Sequence, residues 1–95
     1  MINFTKYTLG KVESLLEDQG YIVRYEKGTF TSGYCILEHR KVAVLNKFYD
    51  TEARINCLLD ILISVDVDES LFGVKNKAFY RQAMKHLLQN PEPVV

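Results

Sequence analysis

Hydrophobic residues recur with a helical period at the start of the chain and change to strict alternation after Gly20. Between about Phe4 and Gln19, apolar side chains follow the three-and-four spacing of one helix face: Leu9, Val12, Leu15 and Leu16. Gly20 supplies the left-handed residue that commonly ends a helix. The following segment YIVRYEK, residues 21–27, alternates apolar and polar positions and therefore predicts a strand.

Two further apolar runs predict a β-hairpin. GYCILE (33–38) and KVAVLN (41–46) are separated only by His39 and Arg40. A connection that short joins antiparallel strands. GTFTSG (28–33) is predicted to be the turn or loop that leads into this hairpin from the first strand. We therefore expect the three strands to form an antiparallel meander.

The second half of the chain predicts two helices. The first helix has Asp50 as its N-cap and continues through about Val65. It has a wide apolar arc, and Asn56 and Asp60 lie on its narrow polar side. Residues 66–74 are predicted to be a connection. The last helix, 75–89, carries one apolar stripe: Phe79, Tyr80, Ala83, Met84, Leu87 and Leu88. Pro91 and Pro93 end it, and residues 91–95 are expected to be a loose tail.

This succession predicts one α+β domain over residues 1–90, with the order helix, three-stranded antiparallel meander, helix, helix. The 95 residues, of which 47% are hydrophobic and 25% charged, fit a single globular domain. We expect the helices to cover one face of the sheet. The other face would then be the place for a ligand groove or a dimer contact.

The charge of the chain is balanced overall but unevenly distributed. Twelve basic and twelve acidic residues give a net charge of zero, which disfavours nucleic acid as a partner and favours a homo-oligomer through weak self-repulsion. The charged residues within 50–69 are all acidic except Arg54, whereas those within 75–85 are all basic. Two interpretations remain open: the two segments meet within the fold or across a dimer, or the second is a basic patch for an anionic partner.

The chain is predicted to be cytoplasmic and not to cross a membrane. Asp60 and Asp66 interrupt the longest apolar run, and the first residues, MINFTKYTLGKVESLL, lack the pattern of a signal peptide. Cys35 and Cys57 stand among apolar residues without a Cys-x-x-Cys partner, which suits reduced thiols.

The residues with reactive side chains do not form a recognisable catalytic or cofactor motif. His39 and His86 have no partner at a ligand spacing, and no glycine-rich phosphate cradle is present, so we predict no catalytic residue, no metal and no cofactor. Asp66, Asp68 and Glu69 form a short acidic cluster. Carboxylates can hold a hard cation, but the spacing is not that of a calcium loop, and a solvated loop is the preferred interpretation.

Two sets of residues are candidates for binding. Tyr21, Tyr25 and Tyr34 fall on predicted strands and could stack on bases or on a planar ligand. Lys77, Arg81 and Lys85 lie four residues apart on the last helix and form a basic ridge that could contact phosphates. The alternatives are that helices pack on the tyrosines and that the ridge is a solvated helix face.

The stretch YIVRYEKGTFTSGYCILEHRKVAVLNKFYDTEARINCLLDIL resembles a group of small bacterial proteins of about this length, to which no activity is attached. The strand ending in Asn46, followed by Arg54 and an apolar helix, also resembles the core of ImmA/IrrE-type zinc peptidases. On that pattern Asp60 falls on the general-base glutamate, but the two zinc-binding histidines fall on Leu59 and Ile63. The resemblance therefore implies a zincin-like αβββα core from which the metal site has been lost.

The hypothesis favoured by the sequence is a small cytoplasmic protein without catalysis that acts through binding, as a homodimer or with a protein partner. One alternative is a ligand- or nucleic-acid-binding module that uses the tyrosines or the basic ridge. The other is an enzyme with a pocket near Asp60, which would be the remnant of a catalytic site.

Overall fold

The computed structural model describes residues 3–27 and 34–89. It confirms the α+β class and the order of helices and strands. The elements are the helices α1 (Lys6–Asp18), α2 (Thr51–Ser64) and α3 (Val74–Gln89), the strands β1 (Ile22–Glu26), β2 (Tyr34–Leu37) and β3 (Val42–Asn46), and short 3-10 turns at Glu38–Arg40 and Glu69–Leu71. The predicted turn at 28–33 and the predicted tail at 91–95 lie outside the described residues.

The antiparallel meander predicted from the sequence is wrong. The three-stranded sheet has the order β1-β3-β2, with β1 parallel to β3 and only β2 antiparallel to it. The predicted hairpin between β2 and β3 is confirmed, but β1 pairs on the far side of β3. Parallel neighbours need a connection of about a dozen residues or more, and residues 27–41, including β2 itself, supply it. The prediction failed because it took neighbours in the chain to be neighbours in the sheet.

Strand β3 occupies the centre because it is apolar on both faces. Ala43 and Leu45 are fully buried under the helices, whereas Val42 and Val44 are half-buried on the opposite face. Ile22 lies beside Val42 on that opposite face and is 58% exposed. The end of this face at Ile22 is therefore open to solvent.

Helix α1 begins and ends as its sequence predicts. The Thr5 hydroxyl accepts a hydrogen bond from the backbone N–H of Thr8 at 3.2 Å and caps the first turn. Gly20 follows the helix with φ of 87°, a conformation that costs a side-chain-bearing residue energy. The predicted apolar face is buried in the core: Leu9, Val12, Leu15 and Leu16.

Helix α2 is the most buried helix, and Asp50 caps it as predicted. The Asp50 carboxylate accepts a hydrogen bond from the Ala53 backbone N–H at 2.9 Å. Asn56 and Asp60 are exposed, whereas the residues on the wide arc pack into the core. The helix has 14 residues, and no helix in the described ranges is long and apolar enough to cross a membrane.

Candidate functional site

A groove lies between the end of α2 and the second half of α3. We call it the α2–α3 groove; its volume is ≈ 790 Å³. Its floor is apolar and is formed by Leu62, Ile63, Val65, Val67, Tyr80, Met84 and Leu87. Its charged rim is formed by Asp66, Glu69, Arg81 and Lys85.

The groove exists because α3 is held on α1 rather than on α2. The Asn76 side-chain amide donates to the Ser14 hydroxyl and to the Asp18 carboxylate, both at 2.9 Å. One turn further along α3, the Lys11 ammonium lies 4.5 Å from the centre of the Phe79 ring. These contacts fix the first half of α3, and its second half then stands beside the end of α2 without filling the space between them.

The segment between α2 and α3 forms the acidic side of the groove. Gln19 at the end of α1 holds this segment: its amide donates to the Asp68 carbonyl at 2.9 Å and accepts from the Asp68 N–H at 2.8 Å. Gln19 is only 3% exposed, whereas Asp68 is exposed, so this pair of hydrogen bonds is partly buried. The acidic rim therefore has a defined position relative to the core.

The groove has one acidic and one basic bank. Asp66 and Glu69 lie on the first, while Arg81 and Lys85 lie on α3. The two banks meet at one point, where the Arg81 guanidinium and the Glu69 carboxylate form an ion pair at 2.9 Å. This contact agrees with the interpretation that the acidic segment 50–69 and the basic segment 75–85 meet within the fold.

Tyr80 is the titratable aromatic residue of the groove floor. Burial, and to a lesser extent the neighbouring Glu69 carboxylate, raises the pKa of its phenol. Its ring packs on Phe72 with 4.9 Å between ring centres. The phenol therefore remains protonated at neutral pH and can donate a hydrogen bond, but it is a poor base.

Tyr21 and Tyr25, two of the three predicted tyrosines, are engaged in contacts within the fold. Tyr21 is buried in the core. Tyr25 is half-buried; its hydroxyl donates to Glu13, and the Arg54 guanidinium lies 4.4 Å from its ring centre. Tyr34 pairs with Leu45 in the sheet, and its side chain lies outside what the structure describes. A planar ligand would have to displace the present contacts of Tyr21 and Tyr25.

The predicted basic ridge becomes part of the α2–α3 groove. Arg81 and Lys85 line the groove, whereas Lys77 lies one turn earlier on α3 and does not. Because Arg81 already pairs with Glu69, Lys85 is the residue of the ridge best placed to meet a negative charge on a bound molecule. Two of the three residues of the ridge thus form one bank of the groove.

The residues aligned with the zinc-peptidase pattern have different surroundings from one another. Leu59 is buried in the core, and Ile63 is 59% exposed at the groove. Asp60 is exposed on the polar side of α2 and does not line the groove. Arg54 has a structural role: it donates to the carbonyl oxygens of Tyr49 at 2.9 Å and Lys47 at 2.6 Å. It thereby fastens the β3–α2 connection.

The surroundings of Cys57 favour the protonated thiol over the thiolate. Its side chain is buried, and this burial, followed by the charge of Asp60, raises the pKa of the thiol. A thiol with a raised pKa stays protonated at neutral pH, whereas the thiolate is the reactive form.

The acidic cluster before α3 is accounted for by local structure. The Asp68 carboxylate accepts hydrogen bonds from the Ser70 hydroxyl at 2.6 Å and from the Ser70 N–H at 3.0 Å. These bonds lower the pKa of Asp68 and cap the short turn Glu69–Leu71. Over residues 3–27 and 34–89, no three His, Cys, Asp or Glu side chains group as a metal site.

The apolar floor is the part of the site that the sequence did not reveal. Met84 and Leu87 were predicted to belong to the apolar stripe of the last helix, and they do pack on the core while also lining the groove. Periodicity identifies the apolar face of a helix, but it does not show how much of that face a neighbouring helix covers. The uneven charge of the second half of the chain was the sequence signal that could have indicated the groove.

Comparison of the chain with protein-family models, with curated proteins and with solved structures gives no match.

Proposed function

We propose that this chain is a non-catalytic binding protein that acts as a homodimer and holds an amphipathic segment of a protein partner in the α2–α3 groove. The observation that carries the proposal is the groove itself, an apolar floor between one acidic and one basic bank. Exposed apolar surface that is rimmed by charges is typical of protein interaction sites. We place the protein in the cytoplasm, where a free thiol such as that of Cys57 stays reduced.

The charges of the groove specify the partner. Apolar side chains along one face of the segment would cover Met84 and Leu87, in the manner of a helix bound in a groove. Basic residues of the segment would face Asp66, and an acidic residue would face Lys85. A segment with the opposite arrangement would place like charges together, which costs affinity.

Site-specific crosslinking followed by binding measurements tests the groove. The variant Met84→p-benzoylphenylalanine places a photoreactive group on the groove floor, and Val74→p-benzoylphenylalanine places it on the same helix at a residue that is 89% exposed and outside the groove. We expect a discrete protein to be crosslinked from position 84 and not from position 74. The same products from both positions would contradict the proposal.

A purified fragment of the crosslinked protein then serves as the ligand in calorimetry. Met84→Glu should weaken binding by about 100-fold or more, because a charge must be buried against apolar surface. Lys85→Glu, at an exposed position, should weaken binding by up to about tenfold and leave the fold intact. Val74→Glu is the control and should bind as the wild type does. Equal affinities for all three variants would refute the assignment of the groove.

A further inference from the structure

We propose that two copies of the chain join edge to edge through β1, in an antiparallel pair in which Arg24 of each copy faces the partner's Glu26. The inference rests on the homodimer of the proposed function and names its interface. The sheet order β1-β3-β2 leaves one side of β1 at the edge of the described sheet. Unpaired backbone groups at such an edge are a template for a second strand.

The hydrogen bonds of β1 show which of its residues can pair outward. The Ile22 N–H donates to the Lys41 carbonyl at 2.8 Å, and the Glu26 carbonyl accepts from the Lys47 N–H at 3.1 Å. Because backbone groups alternate sides along a strand, Ile22, Arg24 and Glu26 direct theirs toward β3. Val23 and Tyr25 therefore direct their N–H and carbonyl groups toward the open edge.

This alternation restricts how a second β1 can pair. Positions that direct their backbone groups outward must face each other. Within β1, Tyr25 can therefore face the partner's Tyr25 or the partner's Val23, but it cannot face the partner's Arg24. If Tyr25 faces the partner's Tyr25, Arg24 faces the partner's Glu26 twice, once on each side of the two-fold axis. If Tyr25 faces the partner's Val23, Arg24 faces the partner's Arg24 and like charges meet.

The side chains favour the first register. Arg24 is exposed and Glu26 is partly exposed on the same face of the sheet as Ile22, and the two side chains already form an ion pair at 2.9 Å within one chain. In the proposed register they occupy a pair without backbone hydrogen bonds, in which opposite side chains approach most closely. The same surface of each copy is used, as a two-fold dimer requires.

This interface leaves the binding site accessible. No residue of β1 lines the α2–α3 groove, which is built from the end of α2, the following segment and α3. A dimer formed through β1 would therefore present two grooves. A partner protein with two such segments would gain affinity through avidity.

Sedimentation equilibrium of single variants and of their mixture tests the interface. Arg24→Glu makes the β1 edge acidic, and Glu26→Arg makes it basic. Each variant alone places like charges opposite each other, so its dimerisation should weaken by about tenfold or more relative to the wild type. An equimolar mixture should restore dimerisation as a heterodimer, because positions 24 and 26 are then acidic in one copy and basic in the other.

The control reverses an ion pair that lies away from β1. Glu69→Arg and Arg81→Glu, alone or mixed, should leave the wild-type dimerisation constant unchanged. If the wild type dimerises but Arg24→Glu and Glu26→Arg dimerise equally well, the β1 interface is refuted and the homodimer stands. If the wild type stays monomeric at every concentration, the homodimer of the proposed function is refuted together with this interface, while the groove is judged by its own experiment.

Discussion

Gln19 should be the polar side chain whose loss most disturbs the acidic bank of the α2–α3 groove. The variant Gln19→Ala removes two hydrogen bonds to the backbone of Asp68, at 2.9 and 2.8 Å. A net contribution of about 1 kcal/mol for each bond gives a loss of about 2 kcal/mol in the free energy of unfolding. Because Asp68 itself is exposed, water can reach its freed backbone groups, so we add no further penalty for buried unpaired atoms.

The loss is measurable by urea unfolding followed by circular dichroism. For a domain of this size, about 2 kcal/mol corresponds to a fall of about 8–16 °C in the melting temperature. Gln82→Ala is the matched control, because Gln82 is exposed on α3, and its effect should stay within about 0.5 kcal/mol. Amide hydrogen exchange at Asp68 should accelerate in Gln19→Ala relative to exchange in the core of α2. If Gln19→Ala were as stable as Gln82→Ala and exchange at Asp68 were unchanged, the role assigned to Gln19 would be wrong.

Two further predictions concern the contacts of Tyr25. Arg54→Ala removes two hydrogen bonds to carbonyl oxygens before α2 and the contact with the Tyr25 ring, so urea unfolding should show a loss of about 2–3 kcal/mol in the free energy of unfolding. The control Arg40→Ala, at an exposed position, should change this free energy by less than about 0.5 kcal/mol. Equal losses in the two variants would contradict the role assigned to Arg54. Burial, followed by the hydrogen bond to Glu13, raises the pKa of the Tyr25 phenol, so the folded state holds its proton more tightly than the unfolded state. The resulting stabilisation is complete below about pH 10 and is lost as the pH rises further, and stability measured between about pH 8 and pH 11 should fall more steeply in the wild type than in Tyr25→Phe. Identical slopes would refute the assignment.

The helices and their buried faces followed from the sequence because the signals that specify them are local. The spacing of Leu9, Val12, Leu15 and Leu16 identified the core face of α1, and Asp50 and Gly20 marked a helix start and a helix end. Each signal depends on residues within one or two turns of one another. Such signals can be recognised without knowing what the helix packs against.

The strand order required the tertiary structure. Both the predicted meander and the observed sheet contain the same three strands and the same β2–β3 hairpin. They differ in which edge of the hairpin β1 joins, and that choice depends on pairing between residues 20 positions apart, such as Ile22 with Val42. Alternating hydrophobicity identifies a strand, but it does not identify its neighbour.

The sequence predicted some features of the candidate site, and the tertiary structure was needed for the others. The sequence by itself determined that one segment is acidic, that the next helix is basic, and that this helix has an apolar stripe. Only the tertiary structure decided that these features border a groove, because the position of α3 depends on Asn76 reaching Ser14 and Asp18, which are 62 and 58 residues away in the chain. Contacts over such distances fix how two helices stand apart, and no periodicity within either helix encodes them.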